Sequence, residues 1–289
     1  MFIETYIDSL PEDTEEINVS KKSLTYLPNL SRFKKLKRLY CSNNQLSSLP
    51  KLNEKLKELY CTNNQLTYLP PLENLKILYC NNNQLTYLPP LEKLKILYCS
   101  YNNLTSLPPL EKLETIHCNH NKLTYLPPLE KLEYLHCSYN NLTSLPPLEN
   151  LQKLYCSNNK LTSLHFNKNL KILVCESNQL TSLPSLENLE ELYCSNNQLT
   201  SLPSLENLQL FMYNNNPICE IIGGKAVIKQ LRVLNRFRYL YYCLKFKKRF
   251  RDWLWIKIRE PRIRERYSHD YLVKHLHEDT DLDELLDNW

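Results

Sequence analysis

Nine of the eleven cysteines, Cys41, Cys61, Cys80, Cys99, Cys118, Cys137, Cys156, Cys175 and Cys194, recur at intervals of 19 or 20 residues, and three of the seven histidines, His117, His120 and His136, fall within one stretch of 20. Thiols and imidazoles build metal centres, disulfides and nucleophilic sites, so the first question is whether this spacing brings them together. A fixed interval instead puts each cysteine at the same place in successive structural units, as a column of parallel side chains. Neighbouring α-carbons in such a column lie within disulfide range, but parallel side chains rarely present the dihedral a disulfide needs. A zinc framework needs ligands clustered from nearby loops, which the column does not supply. The nine are therefore read as small core hydrophobes in a reducing compartment, with Cys219 and Cys243 outside the column. The histidines fall on one flat sheet, by the argument below, and do not converge tetrahedrally either. No metal and no other cofactor is expected. Ser268-His269-Asp270 are chain neighbours at a helix start, and no phosphate loop or paired-carboxylate setting stands out, so no catalytic residue is assigned.

The elements that position these residues follow from the same interval. Leu75 to Lys93 reads LKILYCNNNQLTYLPPLEK and returns at Leu94, Leu113, Leu132, Leu151, Leu170 and Leu189; upstream it starts at Leu56 and, one residue longer, at Leu36. Nine full copies fill Leu36 to Asn207, a worn tenth starts at Leu208, and a degenerate copy aligns to Ile17, Val19, Leu24, Leu27 and Leu30. Such periodicity decides the architecture before local propensity does. Positions 3 to 5 of each copy predict a short strand paired in parallel with its counterpart in the next coil, about 4.8 Å away. Leucines at positions 1, 4, 11, 14 and 17, with the cysteine at 6, point inward, and stacked coils share one core that a single coil cannot bury. Position 9 is asparagine throughout, from Asn44 to Asn216. An inward amide there is expected to bond buried turn backbone and the next asparagine in the stack.

The unit L-x-x-L-x-C-x-x-N-x-L-x-x-L-P-x-L-x-x resembles the leucine-rich repeat family, with cysteine at the sixth position. The resemblance implies a solenoid of the α/β horseshoe class, with short parallel β-strands on its concave face. The 19-residue period leaves little room for a convex helix, and the pairs Pro70-Pro71, Pro89-Pro90, Pro108-Pro109, Pro127-Pro128 and Pro146-Pro147 predict an extended, polyproline-like back. Residues 1–35 are read as an N-terminal cap, with Tyr6, Ile7, Leu10 and Phe33 over the open leucine face and the acidic run Glu12 to Glu16 as solvated surface. The array occupies 36–219. The seventh copy, with His165 and Phe166 in place of the usual proline pair, predicts a local irregularity.

Position 5 carries an aromatic stripe: Tyr40, Tyr60, Tyr79, Tyr98, His117, His136, Tyr155 and, after Val174, Tyr193. Position 8 adds Tyr101, His120 and Tyr139, and position 3 adds Tyr134. Tyrosine and histidine offer large contact area with few torsions to freeze. They also stabilise sheets simply by stacking across strands. The candidate partner-binding face is Tyr60, Tyr79, Tyr98, Tyr101, His117, His120, Tyr134, His136, Tyr139 and Tyr155.

The only two glycines, Gly223 and Gly224, mark the end of the array. Beyond them Ala226, Val227, Leu231, Leu234, Phe237, Tyr241 and Leu244 recur at helical spacing, so 220–289 is read as a helical C-terminal segment that closes the solenoid. The net charge of +5 hides a split: residues 220–268 hold 15 basic and 4 acidic side chains, and 269–289 hold 1 and 7. The basic helices, interleaved with Trp253, Trp255 and Tyr267, make nucleic acid or an anionic membrane surface an alternative partner. No run of 18 apolar residues exists, so no spanning helix is expected. The order YLYYCLKFKKRFRDWLWIKIREPRIRERY, YLVKHL, EDTDLDELLDNW is similar to C-terminal segments of giant double-stranded DNA virus proteins, which implies a viral chain acting inside a host cell, with the cytoplasm as its place. Some repeat effectors of bacterial pathogens carry a ubiquitin ligase domain whose nucleophilic cysteine is followed two residues later by aspartate. Here Cys243 is followed by Leu244 and Lys245, and Cys219 by Glu220 and Ile221, so neither matches. The leading expectation is a non-catalytic scaffold that binds a protein, with a host factor as one candidate, on its concave sheet.

Overall fold

The computed structural model describes residues 3–165 and 167–219, all within the compact unit Met1–Arg232. Helix α1 (Ile3–Ser9) is followed by eleven three-residue strands: β1 (Glu16–Asn18), β2 (Arg38–Tyr40), β3 (Glu58–Tyr60), β4 (Ile77–Tyr79), β5 (Ile96–Tyr98), β6 (Thr115–His117), β7 (Tyr134–His136), β8 (Lys153–Tyr155), β9 (Ile172–Val174), β10 (Glu191–Tyr193) and β11 (Leu210–Met212). They form one parallel sheet in chain order. Each strand pairs position for position with its neighbour, as in Tyr79↔Tyr98 and His117↔His136. Chain order follows from the repeat, since each coil buries its leucines only by lying on the coil before it.

The middle residue of β2 to β10 is buried and its two neighbours are more open, the alternation of a sheet with one core face. Leucines at positions 1, 4, 11 and 17 and all nine column cysteines join one continuous core. The cysteines are free and buried. Burial pushes the Cys41 and Cys118 thiols up to about 12, so they pack as neutral apolar groups. From Leu10 to Pro217 no helix interrupts the coils among the described residues.

The position-9 asparagines do point inward, but they do not bond one another. Asn121 Nδ2 donates to the carbonyls of Cys99 (3.0 Å), Cys118 (3.1 Å) and Asn119 (3.4 Å), and its Oδ1 accepts from Leu104 N (3.0 Å). Two of those partners, Cys99 and Leu104, belong to the preceding coil. The side chain reaches backbone groups that the turn leaves unpaired, and those lie closer than the next amide. Asparagine-to-asparagine bonds occur one position earlier, from Asn63 to Asn43 and from Asn215 to Asn196, both at 2.7 Å. A further set at position 19 was not foreseen: Asn74, Asn150, Asn169, Asn188 and Asn207 each donate to a carbonyl of the previous coil.

At the N-terminal end Ile7 and Phe33 are buried and Tyr6 and Leu10 pack against the core. The Arg32 guanidinium donates to the carbonyls of Ile7 and Leu10 near the C-terminal end of α1 and lies over the Phe33 ring at 4.6 Å, which fixes the helix to the first coil. The acidic run is not merely solvated. Asp13, Glu15 and Glu16 pair with Lys35, Lys37 and Arg38 of the next coil. These exposed pairs each contribute little, about 0–1 kcal/mol, but they set a row of acids against a row of bases at and just before β1 and β2. In the irregular seventh copy Asn167 replaces the position-17 leucine. It stays buried by donating to the carbonyls of Leu148 (2.6 Å) and Leu151 (3.0 Å).

Candidate functional site

The side of the sheet turned away from the leucine core carries the aromatic residues, in two columns. At position 5, Tyr40, Tyr60, Tyr79, Tyr98 and His117 stack in series, with centroids 4.2–4.9 Å apart and planes within 21°. In-register parallel pairing brings equal positions to the strand spacing, which suits offset stacking of flat rings. The sixth ring of the series is not His136. Tyr134, at position 3, stacks on His117 at 4.7 Å, and His136 turns edge-on to His117 at 5.6 Å and 71°. The column thus changes lane between β6 and β7. Tyr155 is only tilted against Tyr134 and His136, and Val174 ends the run. The stripe along nearly the whole sheet expected from sequence is therefore a six-ring stack over β2 to β7 with a looser end.

The second column is shorter and more exposed. Tyr101, His120 and Tyr139 stack at 4.2 Å with planes 10–12° apart, and Tyr101 and Tyr139 each remain 51% exposed. Their backbone has positive φ, 56°, 53° and 57°, as do Asn43, Asn63, Asn82, Asn158, Ser177, Asn196 and Asn215 at the same position of other coils. Asparagine tolerates this left-handed region and histidine is also enriched there, whereas a tyrosine pays roughly 1–2 kcal/mol. Three consecutive coils thus give up the favoured residue, and its side-chain ladder, for rings, two of them exposed and His120 between them half-buried. Between the two columns Ser100, Asn119 and Ser138 are buried as a polar floor, with Ser100 Oγ donating to Asn119 Oδ1.

All ten expected face residues lie on this side of the sheet. Sequence reasoning passed over three exposed lysines that border them: Lys153 at position 3, and Lys122 and Lys160 at position 10. Their signal was legible, since other copies hold glutamine or asparagine at position 10. A separate set of exposed tyrosines, Tyr26, Tyr68, Tyr87 and Tyr125, occupies position 13, beyond the strand and its turn. Among the described residues no three His, Cys, Asp or Glu side chains are placed to hold a metal ion, and no helix is long and apolar enough to cross a membrane. A crevice of about 30 Å³ lined by Leu148, His165 and Asn167 holds little more than a water molecule.

Burial lowers the imidazole of His117 to about 4, with a smaller contribution from His136. His136 is lowered by burial and by His120. Tyr60 is raised to about 12 by burial and by its hydrogen bond to Glu58. His117 and Tyr60 are therefore neutral at pH 7. An unfolded His117 titrates near 6.5 and the folded one near 4. Its contribution to stability is complete above 6.5 and is lost as pH falls through 4. Exchanging His117 for tyrosine, the usual residue of the column, should remove that slope. Melting temperatures of the two chains should differ by a constant above pH 7, and the native chain should lose ground steadily between pH 6.5 and 4.

The sequence matches a family model for leucine-rich repeats in two copies at residues 54–93, 92–131, 130–168, 149–188 and 168–207, which together span more than half of the chain. The chain belongs to the leucine-rich repeat family. It is similar to the leucine-rich effector protein YopM of Yersinia pestis, at 32% identity and a TM-score of 0.64, over 74% of this chain and 63% of that one. It is also similar to the functional domain of InlJ of Listeria monocytogenes, which includes a cysteine ladder, at 27% identity and a TM-score of 0.63, over 76% of this chain and 57% of that one. This chain spans less than two thirds of either. No curated protein matches it. Solenoids of this family generally serve as protein-interaction scaffolds. The C-terminal helical segment and its basic face, including Cys243, lie outside the described residues.

Proposed function

We propose that this chain is a non-catalytic scaffold that binds a protein partner on the outward face of its sheet. The centre is Tyr98, Tyr101, His117, His120, Tyr134, His136 and Tyr139, flanked by Tyr60, Tyr79 and Tyr155. One observation carries the reading: Tyr101, His120 and Tyr139 hold left-handed backbone, with φ of 53–57°, where the fold favours asparagine, and they do so in adjacent coils on the exposed side. Strain of this kind persists where the exposed group has a use. Stacking alone is the competing account, and the half-buried position-5 column fits it better than this exposed triplet does. The partner is a host protein and the setting is the host cytoplasm. Supporting that setting are the nine buried thiols, the likeness to a leucine-rich effector, and the resemblance of residues 239–289 to giant-virus C-terminal segments.

The test compares two triple variants in cross-linked capture of partners by the full chain. Tyr101→Asn/His120→Asn/Tyr139→Asn installs the residue that other coils carry at position 8. Tyr26→Ser/Tyr87→Ser/Tyr125→Ser installs the serine that other coils carry at position 13. Loss of the captured protein in the first variant and its retention in the second is the expected result. Equal capture by both would remove the outward face from consideration.

A further inference from the structure

We propose that the outward face over residues 94–169 takes an acidic, extended polypeptide segment. This rests on the reading of that face as the binding surface and adds the chemistry of what it binds. The first argument is the orientation of the rings. In both columns the rings lie face to face, at 4.2 Å in the triplet and 4.2–4.9 Å in the longer stack. Their electron-rich faces are used by one another, apart from the ends of each stack and the turned rings of His136 and Tyr155. What faces a partner is ring edge, which carries partial positive charge, together with phenol O–H and imidazole N–H donors. A surface made of edges and donors complements carboxylates and backbone carbonyls.

The second argument is the charge around the rings. At positions 3, 5, 7, 8 and 10 of the four copies from Leu94 to Asn169 there is no acidic residue, but there are three lysines, Lys122, Lys153 and Lys160. All three are exposed, and none takes part in the four ion pairs formed among the described residues. The same positions hold acid elsewhere along the sheet, at Glu58, Glu176 and Glu191. Glu114 and Glu133 precede their strands at position 2, and Glu114 is paired with Lys95 at 2.6 Å. Acid is missing where the exposed aromatics are densest.

Lys122 and Lys160 are two coils apart, about 10 Å at the spacing of a sheet, which an extended chain covers in about three residues. Two carboxylates at that separation would meet both lysines, while the chain between them lies along the edges of Tyr101, His120 and Tyr139. Single-stranded nucleic acid is the other polyanion to weigh. It gains its affinity from bases stacking on open ring faces, and this surface offers few.

The experiment titrates the full chain with labelled short peptides at about 0.15 M salt, where exposed charges act over about 8 Å. One peptide alternates glutamate with serine, a second alternates lysine with serine, and a third probe is oligothymidylate of similar length. Binding is read by anisotropy, and its place by the imidazole NMR signals of His117, His120 and His136. The expected result is that the glutamate peptide binds and shifts those signals. Lys122→Glu/Lys153→Glu/Lys160→Glu should weaken it about tenfold or more, and Tyr101→Asn/His120→Asn/Tyr139→Asn should weaken it as well. Glutamate-peptide binding unchanged in both variants would assign it to the basic residues of 220–268 and overturn the proposal. So would oligothymidylate shifting the imidazoles while the peptide does not. Stronger binding of the lysine peptide, lost in the asparagine variant, would overturn the chemistry and leave the outward face standing. If partner capture is also insensitive to the asparagine variant, both readings fail.

Discussion

Replacing Asn121 by leucine is expected to cost roughly 1–4 kcal/mol of unfolding free energy, although leucine is the larger apolar residue and the site is buried. Asn121 gives three hydrogen bonds to backbone carbonyls and receives one from Leu104 N. Leucine would leave that N–H without a partner, away from water, and would take one donor from the carbonyls of Cys99 and Cys118, which keep Asn102 and Asn140. The orphaned N–H costs about 1–3 kcal/mol and each lost carbonyl bond about 0.5–1.5 kcal/mol, which together outweigh the gain of about 2 kcal/mol from added apolar area. The carbonyl of Asn119, reached at 3.4 Å, is the weakest of the four and contributes least. Urea unfolding followed by circular dichroism checks the value. A loss below about 1 kcal/mol would mean that these backbone groups find other partners, and the asparagine column would then not be what fixes one coil to the next.

The leucine and cysteine columns were readable because inward pointing is a property of a position within one copy, and nine copies repeat it. What was misread depends on relations between copies. Asn121 was rightly placed inside, but its partners are set by the offset between coils, which a linear pattern does not contain. The pairs Lys37–Glu15 and Arg38–Glu16 link residues 22 apart, at 2.7 Å; only the stacking brings them together, so the acidic run read as solvated. Tyr134 displacing His136 from the stack turns on which of two neighbouring rings fills one slot, a question of rotamers rather than of spacing. The left-handed backbone at position 8 had a local signal in its recurrent asparagine. Because that signal was not read as a conformation, the Tyr101–His120–Tyr139 triplet looked like simple aromatic enrichment. The seven face residues within strands were legible as outward because strand alternation is a period of two, whereas Tyr101, His120 and Tyr139 lie past the strands, in left-handed backbone that this rule does not reach.

Leu135→Ala should do more than lower stability; it should change how the array unfolds. Leu135 is fully buried in β7 and pairs in register with Ile116 and Leu154 on either side. The truncation itself costs about 2–5 kcal/mol through lost transfer energy and the cavity left behind. Among the described residues every strand pairs only with its sequence neighbours, so stability is close to a sum of coil terms and interface terms. A loss placed at the seventh strand of eleven weakens both interfaces that join the two halves. The native array is expected to unfold in one step. The variant should unfold in two, with a smaller denaturant dependence in each because each exposes less surface. Leu192→Ala, near the C-terminal end of the sheet, removes the same atoms from an equally buried site and should only fray that end before the main transition. If both variants kept a single transition with an unchanged slope, coupling between coils would reach beyond nearest neighbours. The aromatic stack, continuous from Tyr40 to Tyr134, would then be the element that carries it, since among the side-chain contacts of the outward face it runs unbroken over the greatest number of coils.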